Sequence, residues 1–139
     1  MEIIKTIDLD IGYGKDLVLE KLNFSIPAGQ ITIVLGKSGC GKSTLLKSLI
    51  GLIPPKKGEI IFKGEKIDFS SEESLHSLYT RIGVLYQNGA LLNALTLYEN
   101  VALPIRMKHQ NIQKDVEEHM VYERLSQVGL RESAEKFPS

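Results

Sequence analysis

The feature that most constrains the chain is the octapeptide Gly36-Lys37-Ser38-Gly39-Cys40-Gly41-Lys42-Ser43, which fits G-x-x-x-x-G-K-[ST] at every position. At background residue usage such a match arises by chance in roughly one chain per few hundred of this length. Its flanks narrow this further. Ile31-Thr32-Ile33-Val34-Leu35 is β-branched and apolar with no polar face, which predicts a strand covered on both sides, as in a parallel α/β core. Residues 42–50 predict a helix, with Leu45, Leu46, Leu49 and Ile50 as its buried stripe and Gly51 and Pro54-Pro55 ending it.

Strand, glycine-rich turn and helix in that order make a cradle for phosphate. Several backbone N–H groups converge on anionic oxygens, and Gly36, Gly39 and Gly41 let the backbone turn tightly and approach closely. Ser38 and Cys40 complete the ring of amides, and the helix N-terminus adds the positive end of its dipole. Lys42 is the mobile cation for the β- and γ-phosphates, Ser43 offers a hydroxyl to Mg²⁺, and Thr44 a hydroxyl near the α-phosphate. The bland alternative is a glycine-rich loop that binds nothing. Cys40 also carries two readings: a small residue filling a tight loop, or a nucleophilic thiol beside loop amides and a helix N-terminus.

Elsewhere the pattern alternates between strands and helices. Residues 3–11 and 17–26 predict strands around the Gly12-Tyr13-Gly14 break, and residues 58–67 a hairpin turning at Lys63-Gly64-Glu65. Ser70 with Glu73 has capping-box spacing for a short helix to about Tyr79, and residues 82–86 predict another short buried strand. Thr96 with Glu99 is a second capping box. Ile112, Val116, Met120, Leu125 and Val128 predict the apolar face of a last helix ended by Gly129. The expected division is a β part with the loop core over 1–93 and a helical segment over 94–139. His76, His109 and His119 fall in polar surroundings and are expected at the surface.

Around the loop the chain resembles the ATP-binding subunits of ABC transporters. The resemblance rests on Gly12-Tyr13-Gly14, on Leu17-Val18-Leu19-Glu20-Lys21-Leu22-Asn23-Phe24-Ser25-Ile26 before Ala28-Gly29-Gln30, on Gly51-Leu52-Ile53-Pro54-Pro55-Lys56-Lys57-Gly58-Glu59-Ile60, and on Arg81-Ile82-Gly83-Val84-Leu85-Tyr86-Gln87. It implies that Tyr13 stacks on adenine, with Val18 walling the same base; such stacking contributes about 1–3 kcal/mol. It implies that Gln87 touches Mg²⁺ or the attacking water and serves catalysis together with Lys42. Taken alone, a tyrosine in a turn and a glutamine after a strand are ordinary surface residues. Gly89-Ala90-Leu91, followed later by Glu99-Asn100-Val101-Ala102-Leu103-Pro104, resembles the ATPases of Mla-type phospholipid transporters. The second run also occurs in lipoprotein-release, macrolide-export and cell-division ABC ATPases.

What the resemblance implies is an α/β P-loop NTPase fold of the ABC ATPase type, with an N-terminal antiparallel β part and the start of a helical subdomain. ATP and Mg²⁺ would be its cofactors. A second copy and transmembrane permease subunits would be its partners, the latter docking over residues 94–108. The family continues with an L-S-G-G signature, a Mg²⁺-supporting Asp, a catalytic Glu and a switch His, and none follows in these 139 residues. Ser139 stands where the signature would start, after Pro138 rather than a leucine. The sequence is therefore expected to be the front of such a domain, binding ATP without hydrolysing it, with an incompletely paired sheet.

Composition limits the other classes. Lys plus Arg and Asp plus Glu number 17 each, so no bulk charge draws the chain to nucleic acid or an anionic bilayer. A single cysteine excludes an internal disulfide and a multi-cysteine zinc site. No signal-peptide pattern or membrane-length apolar run is present, so a cytoplasmic setting is expected, with membrane contact only through the permease. Two rivals stay open. A small P-loop kinase would need an arginine-rich lid, whereas residues 94–139 carry only Arg106, Arg124 and Arg131, and a GTPase would need an Asn-Lys-x-Asp loop. The other rival is a non-catalytic module that binds nucleotide in order to dock.

Overall fold

Two half-alternating runs separated by Gly14-Lys15 fold back on each other as β1 (Glu2–Tyr13) and β2 (Asp16–Pro27). With β3 (Lys57–Phe62) and β4 (Glu65–Lys66) they form an antiparallel sheet in the order β2-β1-β3-β4. The β3–β4 turn is the one the sequence indicates: Lys63 and Gly64 both have positive φ, 50° and 86°, as a two-residue primed turn requires. The computed structural model describes residues 1–87 and 89–138, so Ser139 lies outside the described residues. It divides into two compact units, Met1–Val84 and Leu85–Ser139.

In the first unit β1 is irregular, and its register against β2 shifts at four places. Asp8 and Lys21 adopt left-handed φ of 44° and 50°, and side chains stabilise the kinks. Asn23 and Asp8 exchange two bonds of 2.8 Å, and the Lys21 N–H donates to Asp10 Oδ1 at 2.7 Å. Helices α1 (Lys42–Leu49) and α2 (Glu72–Tyr79) contribute to one core of Leu9, Ile11, Leu45, Leu49, Ile60, Phe62, Ile67 and Leu78. Each such side chain contributes on the order of 1.5–3 kcal/mol by leaving water.

The structure departs from three local expectations. Along α1 the buried line is Thr44, Leu45, Ser48 and Leu49, while Leu46 is exposed. Only one side of α1 meets the core, and Leu46 lies about 100° round the helix from Leu45. The cap of α2 is Ser71, whose side chain accepts from the Ser74 N–H, because the Ser70 hydroxyl instead donates to Asp68 Oδ1 at 2.6 Å. Residues 31–35 and 82–86 are irregular and are not strands. Neither has a ladder partner among the described residues, and Ile31 and Leu35 are 93% and 86% exposed. A stretch apolar on both faces becomes a central strand only with neighbours on its edges and layers over its faces.

In the second unit α3 (Leu97–Lys108) and α4 (Lys114–Gln127) pack with a 3₁₀ turn, Arg131–Ser133. The Thr96–Glu99 capping box forms: the Glu99 N–H donates to Thr96 Oγ1 at 3.1 Å, and the Thr96 N–H to Glu99 Oε2 at 2.8 Å. Of the expected apolar face of the last helix, Leu125 is buried and Ile112 and Met120 are half-buried. Val116 and Val128 are exposed, and the buried line is Glu117, Val121 and Leu125. A carboxylate fits there because Arg106 donates to it from Nε and Nη2 at 2.7 and 2.6 Å and the Tyr98 hydroxyl at 3.1 Å. The bonds from Arg106 hold the Glu117 carboxyl below its usual range. Burial, then the bond to Glu117, pushes the Tyr98 phenol up to about 12. Among the described residues no helix is long and apolar enough to cross a membrane.

Candidate functional site

The glycine-rich loop leads directly into α1. Gly39 and Gly41 take φ of 81° and 96°, conformations open to glycine and strained for other residues. Gly41 is the N-cap of α1 and offers no side-chain cap, so the first N–H groups of the helix are left for an outside acceptor. Close approach fixes two of the glycines. A Cβ on Gly36 would sit 2.5 Å from Cys40 Sγ, and one on Gly41 would sit 2.9 Å from Val18 Cγ1 and 3.0 Å from Leu19 Cγ. The loop therefore folds over its own cysteine and leans on β2.

Lys42 closes the loop. Its Nζ donates to the carbonyls of Gly36 and Lys37, both at 2.8 Å, and lies 3.8 Å from Cys40 Sγ. An ammonium has three hydrogens. Two are held by carbonyls, and among protein atoms of the described residues the third has only a sulfur, a weak acceptor that an anionic oxygen would outcompete.

The remaining candidates are placed as follows. Ser38 is exposed in the loop, Cys40 is an exposed free thiol, and Ser43 is exposed in the first turn of α1. Thr44 faces inward at 8% exposure. Tyr13 ends β1 opposite Asp16 and is half exposed. The β1–β2 hairpin narrows just before it, where a Cβ on Gly12 would meet the Asp16 carbonyl. Val18 lies on the same hairpin, where a Cβ on Gly41 would meet it, and Lys42 reaches Gly36 and Cys40 directly. Gln87 is an exposed turn residue of the second unit. His76, His109 and His119 are exposed.

Two features escape a sequence reading. Leu19 is a wall for Gly41 alongside Val18, and alternation along β2 gives no sign of it. Asn100, next to the capping glutamate, reaches back to residue 92. The donor set suits a polyphosphate: a helix N-terminus without a side-chain cap and one ammonium, although the Cys40 N–H donates to the Lys37 carbonyl at 3.3 Å. Among the described residues no group of three His, Cys, Asp or Glu side chains could hold a metal. The Ser43 hydroxyl alone would suit Mg²⁺, which keeps several waters and takes phosphate oxygens as ligands.

Comparison with known proteins agrees with this geometry. The sequence profile of the family described as ABC transporter matches residues 19–138. The probable ribonucleotide transport ATP-binding protein mkl of Mycobacterium bovis is 39% identical over 135 residues, 97% of this chain and 37% of that protein. The intermembrane phospholipid transport system ATP-binding protein MlaF of Haemophilus influenzae is 36% identical over 137 residues, 99% of this chain and 52% of that protein. Among solved structures, the ATP-binding cassette MJ0796, a dimer in a post-hydrolysis state bound to ADP and Pi, superposes with a TM-score of 0.82 at 26% identity, covering 97% of this chain and 61% of that one. The chain thus spans between about a third and a half of the curated relatives it matches. These matches displace the kinase and GTPase alternatives and carry the α/β ABC ATPase fold. With the glycine-rich loop inside the matched span, the chain belongs to the ABC transporter family.

Proposed function

We propose that this chain is the nucleotide-binding front of the energy-coupling subunit of an ABC transporter, and that residues 36–44 hold the triphosphate of MgATP. The observation that carries the proposal is the Lys42 ammonium, held over the loop by two carbonyls and left, among protein atoms of the described residues, with only Cys40 Sγ for its third hydrogen. A γ-phosphate oxygen would replace that sulfur, while the amides of Ser38, Gly39, Cys40, Gly41 and Ser43 take the other oxygens. Ser43 would hold Mg²⁺, which when bound neutralises charge between the β- and γ-phosphates. The Thr44 amide and hydroxyl lie on the α-phosphate side. Tyr13 stacks on the adenine, and Val18, which a Cβ on Gly41 would meet, closes the base side. Gln87 contacts Mg²⁺ or the attacking water and, with Lys42, serves hydrolysis.

In the whole protein these parts act in a homodimer on the cytoplasmic face of the membrane, docked on permease subunits over residues 94–108. The dimeric state of MJ0796 supports that assembly. The cargo we favour is phospholipid or a related lipid, supported by MlaF and by the run through Gly89-Ala90-Leu91 and Glu99-Asn100-Val101. The name of mkl favours a ribonucleotide instead, so cargo is a second, separable question. Phosphate release tests the function. The 139-residue chain should bind MgATP yet release no phosphate above background, whereas the chain lengthened to the size of its relatives should turn over. Multiple turnovers by the 139 residues alone would overturn the proposal in favour of a self-sufficient small enzyme.

A further inference from the structure

Asn100 makes more side-chain bonds than any other amide among the described residues, and all reach backward along the chain. Its Oδ1 accepts from the Leu92 N–H at 2.8 Å, and its Nδ2 donates to the carbonyls of Leu92, Leu95 and Thr96 at 3.1, 3.0 and 2.9 Å. The partners fix the orientation of the amide, since only the oxygen can face an N–H and only the nitrogen can face three carbonyls. The same first turn of α3 is bound elsewhere too. The Leu97 N–H donates to the Lys136 carbonyl at 2.9 Å and the Tyr98 N–H to the Ala134 carbonyl at 2.8 Å, so residues 134–136 satisfy two of the helix's orphan donors. Four residues after Asn100 comes Pro104, which has no N–H for the Asn100 carbonyl, so the strong attachment is to the first turn rather than the whole helix.

Residues 92–96 begin five positions after Gln87 in the chain, and the Gly89 N–H donates to the Tyr86 carbonyl at 3.1 Å. We propose that Asn100 is a positioning residue that welds residues 92–96 to the first turn of α3, so that a displacement of Gln87 reaches α3 and residues 134–136 as one movement. The transmission, though not the weld, rests on the proposal above that Gln87 responds to nucleotide. Neither residue spacing nor the capping box implies such a link. It is a set of hydrogen bonds that one side chain makes with three backbone positions.

The test is amide hydrogen exchange on the 139-residue chain, for wild type and Asn100→Asp, with and without MgATP. Aspartate has the same shape but turns a carboxylate oxygen toward three carbonyls. In nucleotide-free protein its effect should be a loss of protection at residues 92–96 and at Leu97 and Tyr98 of about tenfold or more. The amides around Val121 and Leu125 should keep theirs, which shows that the unit remains folded. If they too lose protection, Asn100→Ala, which adds no charge, is measured in the same way. Wild-type protection at residues 92–96 in the variant that stays folded overturns the weld. With MgATP, wild type should change exchange at residues 97–98 and 134–136 as well as at the loop, and Asn100→Asp at the loop only. An unchanged response at residues 97–98 in the variant, or none there in wild type, overturns the transmission. A loop that never responds to MgATP sinks the nucleotide proposal and the transmission with it, while the nucleotide-free arm still decides the weld.

Discussion

The sheet strand β1 and the segment 31–35 differ less in composition than in company. Both are rich in isoleucine and leucine, and the segment is the more uniformly apolar of the two. Yet Leu9 and Ile11 on β1 are fully buried, whereas Ile31, Ile33 and Leu35 are 93%, 72% and 86% exposed. β1 has β2 and β3 on its edges and α1 against it, all from nearby sequence. The segment has no partner among the described residues. Apolarity prepares a strand, but edges and cover decide whether it forms one.

The sharpest way to break this comparison is to truncate one residue in each region. Leu9→Ala should cost about 2–5 kcal/mol, because it removes contacts on all sides. Ile33→Ala should change stability by no more than about 0.5 kcal/mol, because its side chain is already in water. Urea unfolding of the two variants measures both. Similar losses would mean that residues 31–35 are paired and covered after all.

Tyr13→Ala sharpens the comparison from the well-packed side, since Tyr13 closes the β1–β2 hairpin and Val18 of that hairpin supports Gly41. Losing a stacking face should weaken MgATP and MgGTP alike, by about 1–3 kcal/mol. Titration of a fluorescent analogue against each competitor reads it. A loss confined to one base would mean that the edge of the ring, not its face, is recognised.

The smallest expected effect lies in the second unit. The Glu117 carboxyl is held low by its bonds from Arg106, so its contribution to stability is present above the ordinary carboxylate range and is lost as pH falls through the lowered folded value. The Tyr98 phenol, pushed up to about 12, acts in the opposite direction, and its contribution fades as pH rises from about 10. The urea midpoint of the helical signal against pH should therefore drop at both ends, and Glu117→Gln should flatten the acid arm. An acid arm unchanged by that substitution would show that the Arg106–Glu117 pair contributes nothing measurable.

How legible these parts are in the sequence follows the same division between local and distant causes. The tight glycine-rich loop, the Lys63-Gly64 turn and the Thr96–Glu99 cap are legible because each depends on residues within a few positions of one another. The buried face of α1 is not, because Leu45 and Leu46 are equally apolar and only the position of the sheet chooses between them. The burial of Glu117 runs against apolar periodicity, and its cause is Arg106, eleven residues earlier. Residues 31–35 carry a correct strand pattern without the partners that would pair it. At the site, the glycines and Lys42 are readable from the motif, but the support given to Gly41 by Val18 and Leu19 belongs to the folded hairpin.

The most direct measurement is calorimetric titration of MgATP into the 139-residue chain and its Lys42→Ala variant. The loop amides are the same in both, and the only ammonium held over the loop among the described residues is lost in the variant. Saturable one-site binding by the wild type is expected, weakened in the variant by about 1.5–3 kcal/mol or more, the range for a charge-assisted hydrogen bond. Equal affinity in the two proteins, or no binding by the wild type at millimolar MgATP, would contradict the assignment of residues 36–44 as the phosphate site.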